Sequence, residues 1–174
     1  MRDQDEAAIV ACIPNLRRYA RGLVSDPALA DDLVQDTLER AWSRFSLWHQ
    51  RGDIRAWMFG IMHNQFIDGV RAKARRPEDS AGDDLPDVEQ RASQSDGIEV
   101  RDLDRAMQRL PPEQREVLLL VAVEDMGYAQ AAAVLGLPIG TVMSRLARGR
   151  ERLRQELQGR APSAHAAAPL RRIK

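Results

Sequence analysis

The sequence has one cysteine, Cys12, and three scattered histidines, His49, His63 and His165. A single thiol excludes an intramolecular disulfide, and this set offers no spacing for a zinc site, so neither a metal nor a cofactor is expected. Cys12 lies in an apolar stretch and reads as a small core residue. Aromatics make up only 5% of the 174 residues. No run rich in Val, Ile, Tyr and Thr stands out either, which argues against a sheet and for an all-α protein. No apolar run approaches the ~20 residues that a membrane-spanning helix needs. The opening stretch MRDQDEAAIV is acidic and polar, unlike a secretory signal, so a cytoplasmic location is expected.

Net charge is also absent, with 26 basic and 26 acidic side chains. That balance conceals a division. Between Pro77 and Glu99 stand Glu78, Asp79, Asp83, Asp84, Asp87, Glu89, Asp96 and Glu99, with Arg91 as the lone cation. The flanking halves are therefore both net basic. The segment RRPEDSAGDDLPDVEQRASQSDG is rich in Pro, Gly, Ser and Asp and lacks a helical apolar period, so it reads as a linker. The expected organisation is two small helical bundles, residues 1–76 and 100–158, joined by an acidic flexible linker, 77–99. The Ala/Pro-rich tail, 159–174, is expected to fray. A linker of this composition leaves the two bundles free to move relative to each other.

About three or four helices are expected before the linker and four after it. EAAIVACIPNLRRYARGLV is helical in character, with Pro14 placed to kink it or to end a first turn. SDPALADDLVQDTLERAWSRF opens with Ser25 or Asp26 as a cap and Pro27 in the first turn. Leu29, Leu33, Thr37, Ala41 and Phe45, with Leu38 and Trp42 alongside, form an apolar stripe opposite Asp32, Gln35, Asp36, Glu39 and Arg40. Asp53 caps the next helix, IRAWMFGIMHNQFIDGVRAKARR, striped by Ile54, Trp57, Met58, Ile61 and Met62. After the linker, Leu103, Met107 and Leu110 mark a fourth helix, PPEQREVLLLVAVEDM a central core helix, and YAQAAAVLG a short one.

The last helix, within LPIGTVMSRLARGRERL, concentrates arginines. At about 100° per residue, Val142, Leu146, Gly149, Leu153 and Leu157 share one side and Thr141, Ser144, Arg145, Arg148 and Arg152 the other. Ala132 precedes Gly136 by four residues, and Val142 follows six later. That is helix-turn-helix spacing: a small residue for a close crossing, a glycine for the turn and an apolar pin for the second helix. The second helix is then free to enter the major groove, arginines facing guanine edges and phosphates, Thr and Ser facing phosphates and some bases.

With these residues in view, LPPEQREVLLLVAVEDMGYAQAAAVLGLPIGTVMSRLARGRERLR resembles the promoter-reading C-terminal domain of bacterial extracytoplasmic-function (ECF) sigma factors. ADDLVQDTLERAWSRF and DIRAWMFGIMHNQFIDGVRAKARR resemble their N-terminal domain, in the right order and with a linker of the expected kind. The resemblance implies a protein that binds core RNA polymerase, directs it to promoter DNA, helps to open the duplex and is not itself an enzyme. It assigns minus-35 recognition to Thr141, Ser144, Arg145, Arg148 and Arg152. It assigns core-polymerase contact to Asp32, Gln35, Asp36, Glu39 and Arg40. Minus-10 recognition falls to Trp48, Arg51, Asn64, Arg71, Lys73, Arg75 and Arg76, with Asn64 near a flipped base and the basic residues on phosphates. Trp48 is open between a stacking platform and a core residue, and the acidic linker between occupying a nucleic-acid channel and simple solubility. An anti-sigma partner is a further implication. In place of the family's more usual Ser, Glu, Glu, this chain has Gly127, Ala129 and Gln130, and Met143 stands where many relatives carry a basic residue.

Two other readings compete. An autonomous helix-turn-helix regulator would footprint DNA without polymerase. A DNA-processing enzyme would need a metal cluster or nucleophile, and the adjacent Asp31 and Asp32 point to different helix faces with no third ligand at useful spacing.

Overall fold

The computed structural model describes residues 3–48, 52–75 and 96–159. Among the described residues seven α-helices follow one another: α1 (Asp3–Leu23), α2 (Pro27–Trp48), α3 (Ile54–Ala74), α4 (Asp96–Gln108), α5 (Pro112–Leu118), α6 (Tyr128–Leu135) and α7 (Ile139–Gln158). Helix α4 starts inside the stretch read from sequence as linker; residues 76–95, and the tail from 160 onward, lie outside the described residues.

The starts of α2 and α3 follow the capping chemistry in the sequence. Asp26 Oδ1 accepts from the Ala28 amide at 2.8 Å, and Asp53 Oδ1 from the Arg55 amide at 2.9 Å, each satisfying a donor that the first turn leaves unpaired. Pro14 lies inside α1 without ending it. Helix α5 runs into a π turn, Leu119–Val123, closed by the Glu124 amide donating to the Leu119 carbonyl at 2.9 Å. Asp125 then takes a positive φ of 51°, a conformation that Asp tolerates better than most residues.

Helices α1, α2 and α3 form the N-terminal bundle around Ile9, Leu16, Tyr19, Val34, Met58, Phe59 and Met62, all nearly inaccessible. Tyr19 meets Phe59 edge-on, ring centroids 5.0 Å apart. The packed side of α2 is rotated from the stripe read by spacing. Ala30, Val34, Thr37 and Ala41 are buried, Leu33, Leu38 and Phe45 partly so, while Leu29 and Trp42 are 56% and 47% exposed. Small residues face the neighbouring helices, so α1 and α3 approach α2 closely and the larger apolar groups are displaced to its edges. Thr37 is buried as a polar residue, its hydroxyl 2.7 Å from both the Leu33 carbonyl and Gln65 Oε1.

Helices α4 to α7 form the second bundle, with α5 against α7 as its main contact. Gly149 makes that approach possible: a Cβ there would stand 3.0 Å from Leu118 Cδ1.

The two bundles are packed on each other. α3 lies on α6, and α1 on α4, α5 and the π turn, so one apolar core runs through both. Gly22 of α1 seats Leu119: a Cβ there would fall 2.5 Å from Leu119 Cδ2. Buried Arg115 donates to the carbonyls of Leu23, Met107 and Leu110 and to the side chain and carbonyl of Gln108. One guanidinium thus serves carbonyls at the ends of α1 and α4 together.

Candidate nucleic-acid and polymerase interfaces

Helix α6 ends at Gly136, whose φ of 62° and ψ of 34° are left-handed. The turn residue is therefore where a Cβ would be most strained. The Leu137 amide donates back to the Ala132 carbonyl at 3.0 Å. Ala132 and Val142 are buried, and Pro138 caps α7 with extended backbone. The spacing read in the sequence is thus a helix-turn-helix in three dimensions. Val142, Leu146 and Gly149 are buried, Leu153 is half-buried, and Leu157 lies at the exposed end of the stripe. On the opposite side Arg148 and Arg152 are exposed, and Thr141, Ser144 and Arg145 partly exposed. Ser144 donates to the Thr141 carbonyl at 3.0 Å, and Arg148 Nη2 lies 3.5 Å from Ser144 Oγ. No carboxylate is recorded as an ion-pair partner of Arg145, Arg148 or Arg152 among the described residues.

On α2, Asp32, Gln35, Asp36, Glu39 and Arg40 are all exposed, with Gln35 donating to Glu39 at 3.1 Å. On the helical wheel the acids lie between the exposed Leu29 on one side and Trp42 on the other. Leu38, Glu39, Trp42 and Ser43 line a shallow apolar hollow there.

On α3, Asn64 and Arg71 are exposed, as is Arg75 just beyond the helix. These three positions fall within about 40° of one another on the wheel. Lys73 lies in the last turn of α3, while Arg51 and Arg76 fall outside the described residues. Trp48 is half-buried in an aromatic cluster, 5.5 Å from Phe45 and 6.0 Å from Trp57. Its indole nitrogen is buried with no hydrogen-bond partner among the described residues. The packing side of the open question about Trp48 thus has a concrete basis.

The sequence reading missed a polar cluster between the bundles. Glu124, its side chain wholly inaccessible, receives Arg18 in a two-pronged grip: Nε on Oε1 at 2.7 Å and Nη2 on Oε2 at 2.9 Å. Asn15 donates to Oε2 at 2.8 Å, Arg55 Nη2 to Oε2 at 3.0 Å, and Arg55 also to the Glu124 carbonyl. Burial pushes the Glu124 carboxyl up, but hydrogen bonds from Arg18, Asn15 and Arg55 and the charge of Arg18 outweigh it, so its pKa lies below the ordinary value. Nearby, His63 Nδ1 lies 2.6 Å from the buried Glu116 Oε1, and Gln130 Nε2 donates to Asp53 Oδ2 at 2.8 Å. A glutamate closing the apolar run VLLLVAV was the available signal, because a carboxylate in such a place needs a partner.

Residues 9–63 match the family described as the Sigma2 domain of PhyR, and residues 101–153 match Sigma-70, region 4. The chain is 35% identical over 145 residues to the ECF RNA polymerase sigma factor EcfG of Rhodopseudomonas palustris, covering 83% of this chain and 80% of that one. It is 36% identical over 152 residues to the ECF RNA polymerase sigma factor SigC of Mycobacterium tuberculosis, covering 85% and 80%. Among solved structures it resembles the sigma factor RpoE of Bartonella quintana, determined in complex with the anti-sigma factor NepR. The TM-score is 0.77 at 33% identity, over 88% of this chain and 96% of that one.

Proposed function

The chain belongs to the extracytoplasmic-function sigma factors, which direct RNA polymerase to promoters, and from that premise we propose how its surfaces divide the work. Its activity is recruitment and recognition, not catalysis, exercised in the cytoplasm where polymerase works. In the described residues no helix is long and apolar enough to cross a membrane.

The observation that carries the assignment is α7. Its apolar side is buried through Val142 and Leu146, which pins it behind the left-handed Gly136 turn and turns Thr141, Ser144, Arg145, Arg148 and Arg152 outward. This is the face we assign to the minus-35 duplex, with the arginines reading guanine edges or holding phosphates. Asn64, Arg71 and Arg75 on or beside α3 are assigned to the minus-10 element, together with Lys73, Arg51 and Arg76. Trp48, packed against Phe45 and Trp57, is assigned to the same element. The α2 row of Asp32, Gln35, Asp36, Glu39 and Arg40, flanked by Leu29 and Trp42, is the surface for core polymerase, acids meeting a basic partner helix. The likeness to a sigma factor solved with its anti-sigma factor supports an anti-sigma partner for this chain as well.

The test is transcription with purified core enzyme on a genomic promoter library, together with retention of the chain on immobilised core. Specific run-off products are expected, and the Asp32→Lys/Asp36→Lys variant should lose retention. A chain that footprints promoter DNA without core, and gives no run-off with it, would instead be an autonomous regulator.

A further inference from the structure

Two large apolar side chains stand on the outside of α7, on the same helix as the exposed arginines. Ile139 is 48% exposed and Met143 51% exposed. They are four residues apart, so they lie one above the other on one flank of the first two turns. Gly140, Ser144, Ala147 and Arg148, all exposed or partly exposed, follow them around the helix. From Leu137 to Arg150 the chain has no Asp or Glu. We propose that Ile139 and Met143 form a specificity pair that reads thymine, by packing on its C5 methyl group in the major groove of the minus-35 duplex. The inference rests on the assignment of α7 to that duplex.

Thymine is singled out by what each base offers in that groove. All four bases present hydrogen-bonding edges there, and thymine alone adds a methyl group. A methionine thioether is at most a weak acceptor, and isoleucine has no polar side-chain atom. Neither can pair with a guanine edge or hold a phosphate. Pressed against such an edge, they would strip it of water and return no hydrogen bond. Against a methyl group the same contact is favourable. Where many relatives carry a basic residue, Met143 therefore replaces a charged contact with one that only thymine rewards.

The pair is also in the right place. Base edges are met by the N-terminal half of a recognition helix, and Ile139 and Met143 are the first and fifth residues of α7. Gly140 and Ala147 beside them carry almost no side chain, so nothing bulky holds the pair away from the bases. Ser144 donates to the Thr141 carbonyl, and Arg148 Nη2 lies 3.5 Å from Ser144 Oγ. A polar, cationic flank thus adjoins the apolar one. The first attracts the duplex and the second selects its sequence. Two side chains bordered by cations are too small a patch for a stable protein contact, which buries about 800 Å² on each partner. They are enough to cover a methyl group, and the unbranched Met143 side chain adapts to its position.

The experiment uses the full chain bound to core polymerase, on a promoter fragment identified by run-off. In a second probe the thymines of the minus-35 element, on both strands, are replaced by deoxyuridine. That change removes the methyl groups and leaves every hydrogen-bonding edge intact. Wild-type affinity is expected to fall about fourfold for each methyl group engaged. Ile139→Ala/Met143→Ala alters exposed side chains, so the bundle keeps its core, and this variant should bind the two probes equally. Arg148→Ala should weaken binding to both probes and preserve the difference between them. Equal wild-type affinity for the two probes overturns the proposal. So does a double variant that keeps the wild-type difference, or a minus-35 element without a T·A pair. Failure of the underlying assignment would look different: promoter binding would then be unchanged by Arg148→Ala as well as by the double variant.

Discussion

Arg115 Nη1 donates to the Leu23 carbonyl at 2.6 Å, across 92 residues of sequence, so the last carbonyl of α1 is satisfied from the middle of α5. The same guanidinium bonds Met107, Gln108 and Leu110. Burial lowers its pKa while Asp104 and Glu116 pull it back up. An arginine stays charged under such pulls.

Arg115→Met keeps much of the aliphatic stem and removes the fork, leaving several buried carbonyls without donors. The expected loss is about 2–4 kcal/mol, read as a lower urea midpoint. Arg115→Lys should recover only part of it, since one ammonium does not reproduce a planar fork across two helix ends. A Met variant as stable as wild type would contradict the role given to this side chain.

Acid should open the molecule. The Glu124 pKa is depressed in the closed form, so its contribution is fully present above the ordinary glutamate value of about 4.3 and is lost as pH falls through the depressed value. The groups around it are Arg18 and Arg55, the Glu116–His63 pair and Tyr19, whose phenol is pushed well up by burial and by Glu116 and Glu124 and so stays neutral. Scattering at falling pH should show expansion below about pH 4 in wild type. In Arg18→Gln/Arg55→Gln, where the cations that hold that carboxylate are gone, the corresponding acid-driven step should be absent. An identical acid profile in both chains would refute the assignment.

On α7 stability and recognition should separate by face. Leu146→Ala empties a buried site and should cost about 2–5 kcal/mol. Arg148→Ala, on the exposed side, should change stability by less than about 0.5 kcal/mol. If Arg148 holds a phosphate, the same variant should weaken promoter binding and reduce the slope of log affinity against log salt by about 0.9. Chemical denaturation and filter binding across a salt series measure the two effects.

Trp42 is large, apolar and 47% exposed beside the acidic row of α2. Trp42→Ala should leave the melting temperature nearly unchanged, yet weaken retention on core polymerase by about tenfold or more, as loss of an interface aromatic does. Unchanged retention would move the polymerase contact elsewhere on the molecule.

Much of this site was legible in the sequence because its signals are local. Asp26 and Asp53 cap the helices they precede, and Gly136 sits at a turn that nearly demands glycine. Alternation of apolar residues with arginines fixed which side of α7 faces inward. The phase of α2 was less legible. Its stripe was drawn through Leu29 and Trp42, the largest apolar residues, whereas the packed side runs through Ala30, Val34, Thr37 and Ala41. Periodicity weights a residue by its hydrophobicity, but a helix between two neighbours packs on its smallest side, and the larger apolar groups, Leu29 and Trp42, are left exposed.

Local order along the chain therefore determined the helices, their caps, the helix-turn-helix and the segregation of charge, because each depends on residues a few positions apart. Only the tertiary structure decided that the two bundles close on each other. Glu124 finds Arg18 and Arg55 across 106 and 69 residues, and no period or spacing encodes such a pairing. A sequence shows that a buried carboxylate needs a cation; which cation arrives is set by how packed helices bring distant side chains together.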